Sequence, residues 1–342
     1  MKKNILNPKI VILDSVFPDH DIERKILIDA GCNVVTANPE CDAEIRRLTF
    51  DADGVIVNMH PLSAETILNM EHCAVISRYG TGFDNVDVQA ADDRKIWVAN
   101  VPDYCIEETS DHAIALILSC TRNIALKDRL VRAGNWKLEQ KIESTRIAGK
   151  TLGIIGFGKI GQAVCRKMSG WNLSRILVSD PWQDERVISE CGASAVSLEE
   201  LCMKSDIITL HVPLTDQSKY LVSRKEISVM KHNAIIVNTS RGKIIDETAL
   251  VTALKNNRIA GAGIDVFEQE PLPADCGLKA LDNTVLTDHT AYHSGESVIE
   301  LKTLAALNVV ETFKEGKPLY PVNRIAQNVV QEKLALSSSS IY

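Results

Sequence analysis

Short runs of apolar, often β-branched residues recur along the first hundred positions, at 10–13, 55–57, 74–77 and 97–99. Each has the length and composition of a strand. Between them, at 22–29 and 64–70, apolar residues return at helical spacing. Such an alternation predicts a mostly parallel sheet covered by helices on both faces. From Ile106 to about residue 133 the pattern becomes that of one long helix, with Ile114, Leu116, Ile117, Leu118, Ile124 and Leu130 as its apolar surface and Gly134 at its end. A second alternation follows, with apolar runs at 151–156, 176–180, 206–211, 234–238, 263–267 and 285–287. Six strands make a complete doubly wound sheet. A last helical pattern covers 298–313. The chain then passes through Gly316-Lys-Pro-Leu-Tyr-Pro321 into a serine-rich stretch, 337–340, expected to fray.

One turn in the second half carries a specific demand on the backbone. The apolar run beginning at Thr151 leads into Gly156-Phe-Gly158-Lys-Ile-Gly161, and Asp180 follows nineteen residues after the last glycine, at the end of the next apolar run. Gly156 allows a tight turn at the strand end. Gly158, without a Cβ, lets a pyrophosphate approach the backbone, and Gly161 lets the following helix pack close to the strand. The N-terminus of that helix offers unpaired N–H groups and a positive dipole end to phosphates. Asp180 is placed to accept from both ribose hydroxyls. These features together predict a bound dinucleotide, and the carboxylate would repel a 2′-phosphate. No arginine follows at once, since Pro181, Trp182 and Gln183 come next, so NAD is expected rather than NADP.

Composition narrows the classes. At 342 residues the chain is long enough for two cores, and 45% hydrophobic with 24% charged residues is ordinary for a globular protein. A formal charge of −7 argues against a nucleic-acid partner, which needs a basic stripe. No secretory core or membrane span is visible, and the nine scattered cysteines contain no CxxC pair, so a reducing, cytoplasmic setting is expected. No histidine and carboxylate grouping has metal-ligand spacing, and metal is not expected.

Three segments follow strands in the second half: Asn238-Thr239-Ser240-Arg241-Gly242, Asp265-Val-Phe-Glu268-Gln-Glu270-Pro271 and Thr287-Asp288-His289-Thr290-Ala291. Loops at the carboxyl ends of parallel strands converge on the ligand crevice. Hydride transfer at a carbon bearing a hydroxyl needs a base for the hydroxyl proton, and His289 is of the right type. Glu270 could hold the imidazole through its other nitrogen. Arg241 offers a planar fork for a carboxylate and can polarise an adjacent carbonyl. Taken singly, each has a plain reading as a cap, a turn or a loop residue. Their joint occurrence after a dinucleotide turn favours catalysis.

These stretches, with Arg78-Tyr-Gly80-Thr-Gly82-Phe-Asp-Asn-Val-Asp87, Asn100-Val-Pro and Glu107-Glu-Thr109, resemble the D-isomer-specific 2-hydroxyacid dehydrogenases. That family includes phosphoglycerate dehydrogenases, glyoxylate/hydroxypyruvate reductases and the C-terminal-binding-protein corepressors. The resemblance runs nearly to the end of the chain, to Pro321-Val-Asn323. It implies two Rossmann-like domains: a discontinuous substrate domain of 1–101 and 294–324, an NAD-binding domain of 102–293, and a tail of 325–342. It implies Lys159 and Ile160 over the pyrophosphate, and Thr109, Val212, Thr239, Asp265 and His289 lining the cofactor, Asp265 near the nicotinamide amide. Arg241 would take the substrate carboxylate together with the Gly80-Thr81-Gly82 amides, a small anion nest. Met59, Tyr79 and Tyr292 would complete the substrate pocket. A homodimer is the family expectation.

The chain also departs from the pattern. Asp288 stands where the family usually has Pro, and exposure is its favoured reading. Asn58 stands where phosphoglycerate-type members often carry arginine, which weakens a phosphorylated substrate. His60 and Arg78 remain as contacts for a distal anionic group, although an ion pair is the favoured role of Arg78. The expected activity is NAD(H)-dependent hydride transfer between the nicotinamide and C2 of a small D-2-hydroxy or 2-oxo acid. The alternatives are an NAD(H)-responsive corepressor-like binding protein with incidental turnover, and oxidation of a non-carboxylate such as phosphite or formate.

Overall fold

A computed structural model describes residues 7–13, 16–136 and 143–325, so the serine-rich end lies outside the described residues. The chain divides into two compact units, Met1–Tyr104 with Ser294–Tyr342, and Cys105–His293. Each is an α/β layer structure built on one parallel sheet, the architecture expected from the alternating pattern.

In the first unit β1 (Lys9–Leu13), β2 (Asn33–Ala37), β3 (Gly54–Val57), β4 (Val75–Arg78) and β5 (Trp97–Ala99) run parallel in the order β2-β1-β3-β4-β5. Val11, Leu13, Val55, Val57, Ile76 and Val98 share one core with Ile45, Ile67 and Ala91 of the helices Asp42–Thr49, Ala64–Leu68 and Val88–Asp93. The pleat sends alternate residues to the opposite face, where the helix Gly295–Glu315 buries Leu301, Ala305, Ala306, Val309 and Val310. Ser77 on β4 donates to the carbonyl of Ala305 at 2.9 Å. The returning chain is tied to the sheet edge as well: the Val98 N–H donates to Asn323 Oδ1 at 2.9 Å, and Ala99 bridges Pro321 antiparallel. These bonds are why a C-terminal segment completes an N-terminal core.

In the second unit β6 (Thr151–Ile155), β7 (Arg175–Ser179), β8 (Ser194–Ala195), β9 (Ile207–Leu210), β10 (Ile235–Asn238), β11 (Gly261–Ile264) and β12 (Thr284–Leu286) run parallel in the order β12-β11-β10-β9-β6-β7-β8. One face packs Leu152, Ile154, Val178, Ile207 and Val237 with Ala113, Leu116 and Ile117 of the helix Ile106–Arg122. The other packs Leu177, Ile208, Leu210, Ile236 and Ile264 with Leu250 and Leu254 of the helix Glu247–Lys255. Strand order reverses between β6 and β9, which opens a crevice at their carboxyl ends. Among the described residues no helix is long and apolar enough to cross a membrane.

The long helix predicted from Ile106 is two helices. Ile106–Arg122 stops at Asn123, which adopts the left-handed conformation (φ 54°, ψ 38°), and Ile124–Arg132 starts anew. Asparagine tolerates that conformation better than most residues, and its Nδ2 donates to the Glu143 carbonyl at 3.0 Å. The apolar pattern runs across the break, so periodicity did not reveal it. Two strands also went unread. Both β2, with exposed Asn33 and Thr36, and the two-residue β8 are edge strands without a continuous apolar face.

Candidate active site

The glycine turn follows β6 closely. Gly156 has φ 88°, and a Cβ there would lie 2.6 Å from the His211 carbonyl oxygen and from Val212 Cγ1. A Cβ on Gly161 would lie 2.3 Å from the Gly156 carbonyl oxygen, so helix and turn meet backbone to backbone. The helix Lys159–Met168 begins at Gly158, where no side chain caps it, and the space beside Gly158 is open to 4 Å. Asp180 is fixed by its neighbours: one carboxylate oxygen accepts from the Phe157 N–H at 2.7 Å, the other from the Trp182 N–H at 2.9 Å. The Phe157 carbonyl accepts from Gln162 and Gln183, which locks the peptide from both sides. Thr239, at the end of β10, is buried, and its hydroxyl has no partner among the described residues. Thr109 is buried in the first turn of the helix Ile106–Arg122. An uncapped helix start over an open glycine, an oriented carboxylate and an orphan hydroxyl fit a dinucleotide. When bound, NAD supplies or accepts the hydride.

The strand-end residues come next. Asn238 Nδ2 donates to the Arg241 carbonyl at 2.9 Å, and its Oδ1 accepts from the Ser240 N–H at 3.0 Å, so the turn that presents Arg241 is bracketed by one side chain. A Cβ on Gly242 would lie within 2.0 Å of the Phe267 carbonyl carbon and oxygen, so only glycine brings this turn onto the loop carrying Glu270. Glu270 accepts from the Phe267 N–H at 2.9 Å and from His289 Nδ1 at 2.6 Å. Burial pushes the Glu270 carboxyl up, but the bond from His289, the charge of that ring, the Phe267 N–H and the Arg241 guanidinium together hold it below the usual carboxylate value. His289 itself has φ 59°. Its N–H donates to the Asp265 carbonyl at 2.8 Å. With Nδ1–H given to Glu270, Nε2 is the nitrogen left for a ligand.

Asp265 is fully buried, and its carboxylate serves the next turn: it accepts from Thr287 Oγ1 at 2.6 Å, the Thr290 N–H at 3.0 Å and the Ala291 N–H at 3.1 Å. Asp288 is exposed and accepts from Thr290 Oγ1 at 2.9 Å. Tyr292 is half-buried, its ring edge-on to His293. Two histidines escaped the sequence reading. His211 lies half-buried beside Gly156, bonded to Thr209 at 3.0 Å, and burial pushes it down to about 3, so it is neutral. His112 lies 3.0 Å from Thr287 Oγ1. No motif surrounds either; the nearest signal for His112 is its place one helical turn after Thr109.

The remaining substrate candidates belong to the first unit, in the loops after β3 and β4. Met59 is exposed, and Asn85 holds its loop by donating to the carbonyls of Asn58 and His60, each at 2.9 Å. Gly80 has φ 119° and packs under the Arg78 guanidinium. The N–H groups of Gly80, Thr81 and Gly82 have no backbone acceptor among the described residues. The Tyr79 side chain does not join this loop: its ring is buried, edge-on to Phe17, and its hydroxyl donates to Glu23 at 2.6 Å. Its backbone alone remains at the loop.

A family model for the NAD binding domain of D-isomer specific 2-hydroxyacid dehydrogenases matches residues 114–291. The chain belongs to that family. A glyoxylate reductase from Korarchaeum cryptofilum (strain OPF8) is 39% identical over 295 residues, 85% of each chain. A D-3-phosphoglycerate dehydrogenase from Methanocaldococcus jannaschii is 36% identical over 328 residues, which are 95% of this chain and 61% of that protein. A solved structure of D-lactate dehydrogenase from Aquifex aeolicus, complexed with NAD and lactic acid, matches with a TM-score of 0.80 at 26% identity, over 90% of this chain and 96% of that one. Family membership makes the protein an NAD-dependent oxidoreductase of hydroxy acids, as the glycine turn and Asp180 led one to expect.

Proposed function

We propose that the protein interconverts a small, unphosphorylated 2-oxo acid and its D-2-hydroxy acid, with His289 as acid/base, Glu270 as its partner and Arg241 on the substrate carboxylate. The observation that carries this reading is the 2.6 Å bond from His289 Nδ1 to Glu270. It fixes the tautomer, so that the neutral ring presents a lone pair at Nε2 to a substrate hydroxyl and the protonated ring presents an N–H to a substrate carbonyl. In reduction, the proton passes from Nε2 to the carbonyl oxygen as the hydride arrives at C2, and the negative charge of Glu270 supports the imidazolium that gives it up. Arg241 pairs with the carboxylate and draws electron density from the adjacent carbonyl.

The loop after β3 lacks the arginine that would suit a phosphate on the substrate. Asn58, buried, and Met59, exposed, bring no cation to the loop after β3. This favours glyoxylate-like acids over phosphorylated ones, in line with the glyoxylate reductases among the relatives. The test is NADH oxidation against glyoxylate, hydroxypyruvate, pyruvate, phosphohydroxypyruvate and a branched oxo acid, repeated with NADPH. The unphosphorylated short acids with NADH should give the highest kcat/KM. Tight NADH binding with negligible turnover on the whole panel would instead favour a dinucleotide-responsive binding protein. We also assign a homodimer: the helix Ile124–Arg132 has no buried residue, and Ile124, Val131 and Trp136 are exposed. Sedimentation equilibrium checks this.

A further inference from the structure

The segment that carries His289 is held by a residue from a distant helix. Thr287 Oγ1 stands 2.6 Å from Asp265 Oδ1 on one side and 3.0 Å from His112 Nε2 on the other. Both carboxylate oxygens of Asp265 already accept backbone N–H groups, so this side chain is the acceptor and the hydroxyl hydrogen of Thr287 goes to it. The oxygen then has only lone pairs left for His112, and His112 Nε2 must carry a hydrogen. The network therefore assigns the tautomer of a histidine 175 residues away in sequence. The same ring nitrogen lies 3.6 Å from Asp265 Oδ1, and among the described residues it is the one basic group within ion-pair distance of that fully buried carboxylate.

Asp265 in turn shapes the turn that presents the acid/base. Its carboxylate takes the N–H groups of Thr290 and Ala291, and its carbonyl takes the N–H of His289. His289 sits at φ 59°, a left-handed conformation that a residue with a Cβ keeps only where its surroundings over-determine it. We propose that His112 is a positioning residue for this reaction: its Nε2–H, acting through the Thr287 hydroxyl, holds Asp265 and so keeps the 287–291 turn in the conformation that aims His289. The proposal rests on the assignment of His289 as acid/base. It makes His112 and Thr287 one relay, in which loss of either member has the same consequence.

The experiment compares His112→Phe, His112→Gln and Thr287→Val with the unaltered enzyme, reading kcat and KM for the best 2-oxo acid and the Kd for NADH by fluorescence. His112→Phe should lower kcat about tenfold, the scale of a small misalignment of a reacting group, with NADH binding little changed. Glutamine can offer an amide N–H to the same Thr287 oxygen, and His112→Gln should recover most of the rate. Thr287→Val keeps the side-chain shape and removes the relay oxygen, so it should match His112→Phe, and the double variant should be no worse than either alone. Equal losses in His112→Phe and His112→Gln would mean that an N–H offered to Thr287 is not what sustains the rate, and would overturn the proposal. So would an unaffected Thr287→Val, or losses that multiply in the double variant. His289→Ala serves as the control: if it retains turnover, the acid/base assignment fails by itself, whatever the His112 variants do. Melting curves on each protein separate a misaimed site from a misfolded one.

Discussion

Each unit holds a carboxylate in a knot of hydrogen bonds, but the two knots end differently. In the first unit Glu23 is fully buried; it accepts from Tyr79 Oη at 2.6 Å and lies 3.6 Å from Lys302 Nζ, itself 3% exposed. Lys302 continues to the carbonyl and carboxylate of Asp19, at 2.9 and 2.8 Å. The chain of bonds joins the helix Asp21–Asp29, the end of β4 and the helix Gly295–Glu315. In the second unit the bonds run from buried backbone to an open end: the Phe267 N–H to Glu270, Glu270 to His289 Nδ1, and no described residue takes Nε2. The His289 side chain is 30% exposed. A sealed knot can only hold helices and sheet together. One with a proton-bearing atom at its exposed end can do chemistry, and the difference between the units is a difference of termination more than of residue type.

The sharpest test of that contrast is paired. Replacing His289 by Ala removes the open end and should lower kcat by about 10²–10⁴-fold with NADH binding and melting temperature nearly intact. Replacing Glu23 by Ala breaks the sealed knot, leaves the Tyr79 hydroxyl without its acceptor and leaves Lys302 with Asp19 alone, which should cost about 1–3 kcal/mol of stability by urea unfolding. The Glu23→Ala molecules that remain folded should turn over normally. A Glu23 variant that lost kcat as steeply as the His289 variant would erase the distinction.

Glu270→Gln sharpens the comparison from inside the active knot. The amide keeps the size of the carboxylate and loses its charge, so kcat should fall by about 10²-fold. For stability, the Glu270 carboxyl is held below its ordinary value despite burial, chiefly by His289. Its contribution is therefore fully present above the unfolded carboxyl value of about 4.3 and is lost as pH falls through the lower folded value. The stability gap between the enzyme and Glu270→Gln should be flat through neutral pH and close in acid. A gap that closed above pH 5 would contradict the depressed value.

The open site was legible in the sequence and the sealed one was not, for a physical reason. Gly156, Gly161 and Asp180 answer demands made by backbone geometry within one βαβ unit, so their spacing along the chain is itself the signal. Arg241, Glu270 and His289 each follow an apolar run, and a parallel sheet gathers strand ends whatever the intervening helices contain. Glu23 and Lys302 meet only because the C-terminal helix returns to the first sheet, and a lysine in a mostly apolar helical pattern reads as a surface residue. His112 has the same difficulty, since its partner Thr287 is fixed by the fold of the second sheet. The neighbours of Tyr79 in the sequence assign it to the substrate pocket. Its ring instead finds Glu23 and Phe17, because the residue after β4 still follows the pleat into the core. Asn123 breaks a helix without interrupting its apolar stripe, which is why two helices looked like one.

Tyr79→Phe is the mildest change and asks whether the sealed knot touches the Gly80–Gly82 loop at all. The phenyl ring keeps its edge contact with Phe17, and Glu23 loses the hydroxyl that donates to it, so the cost should be about 1–3 kcal/mol of stability. The loop after Tyr79 has anchors of its own. Asn100 Nδ2 donates to the Thr81 carbonyl at 2.7 Å, the Val101 N–H donates to the Gly80 carbonyl at 3.0 Å, and Thr81 Oγ1 donates to the Val101 carbonyl at 3.3 Å. These bonds all come from the 100–101 stretch and none passes through the phenol. KM for the 2-oxo acid should therefore stay within about twofold, a change worth roughly 0.4 kcal/mol, and kcat should not move. A rise in KM of about tenfold or more would mean that the Glu23 knot sets the position of the Gly80–Gly82 amides. The knot would then no longer be purely structural.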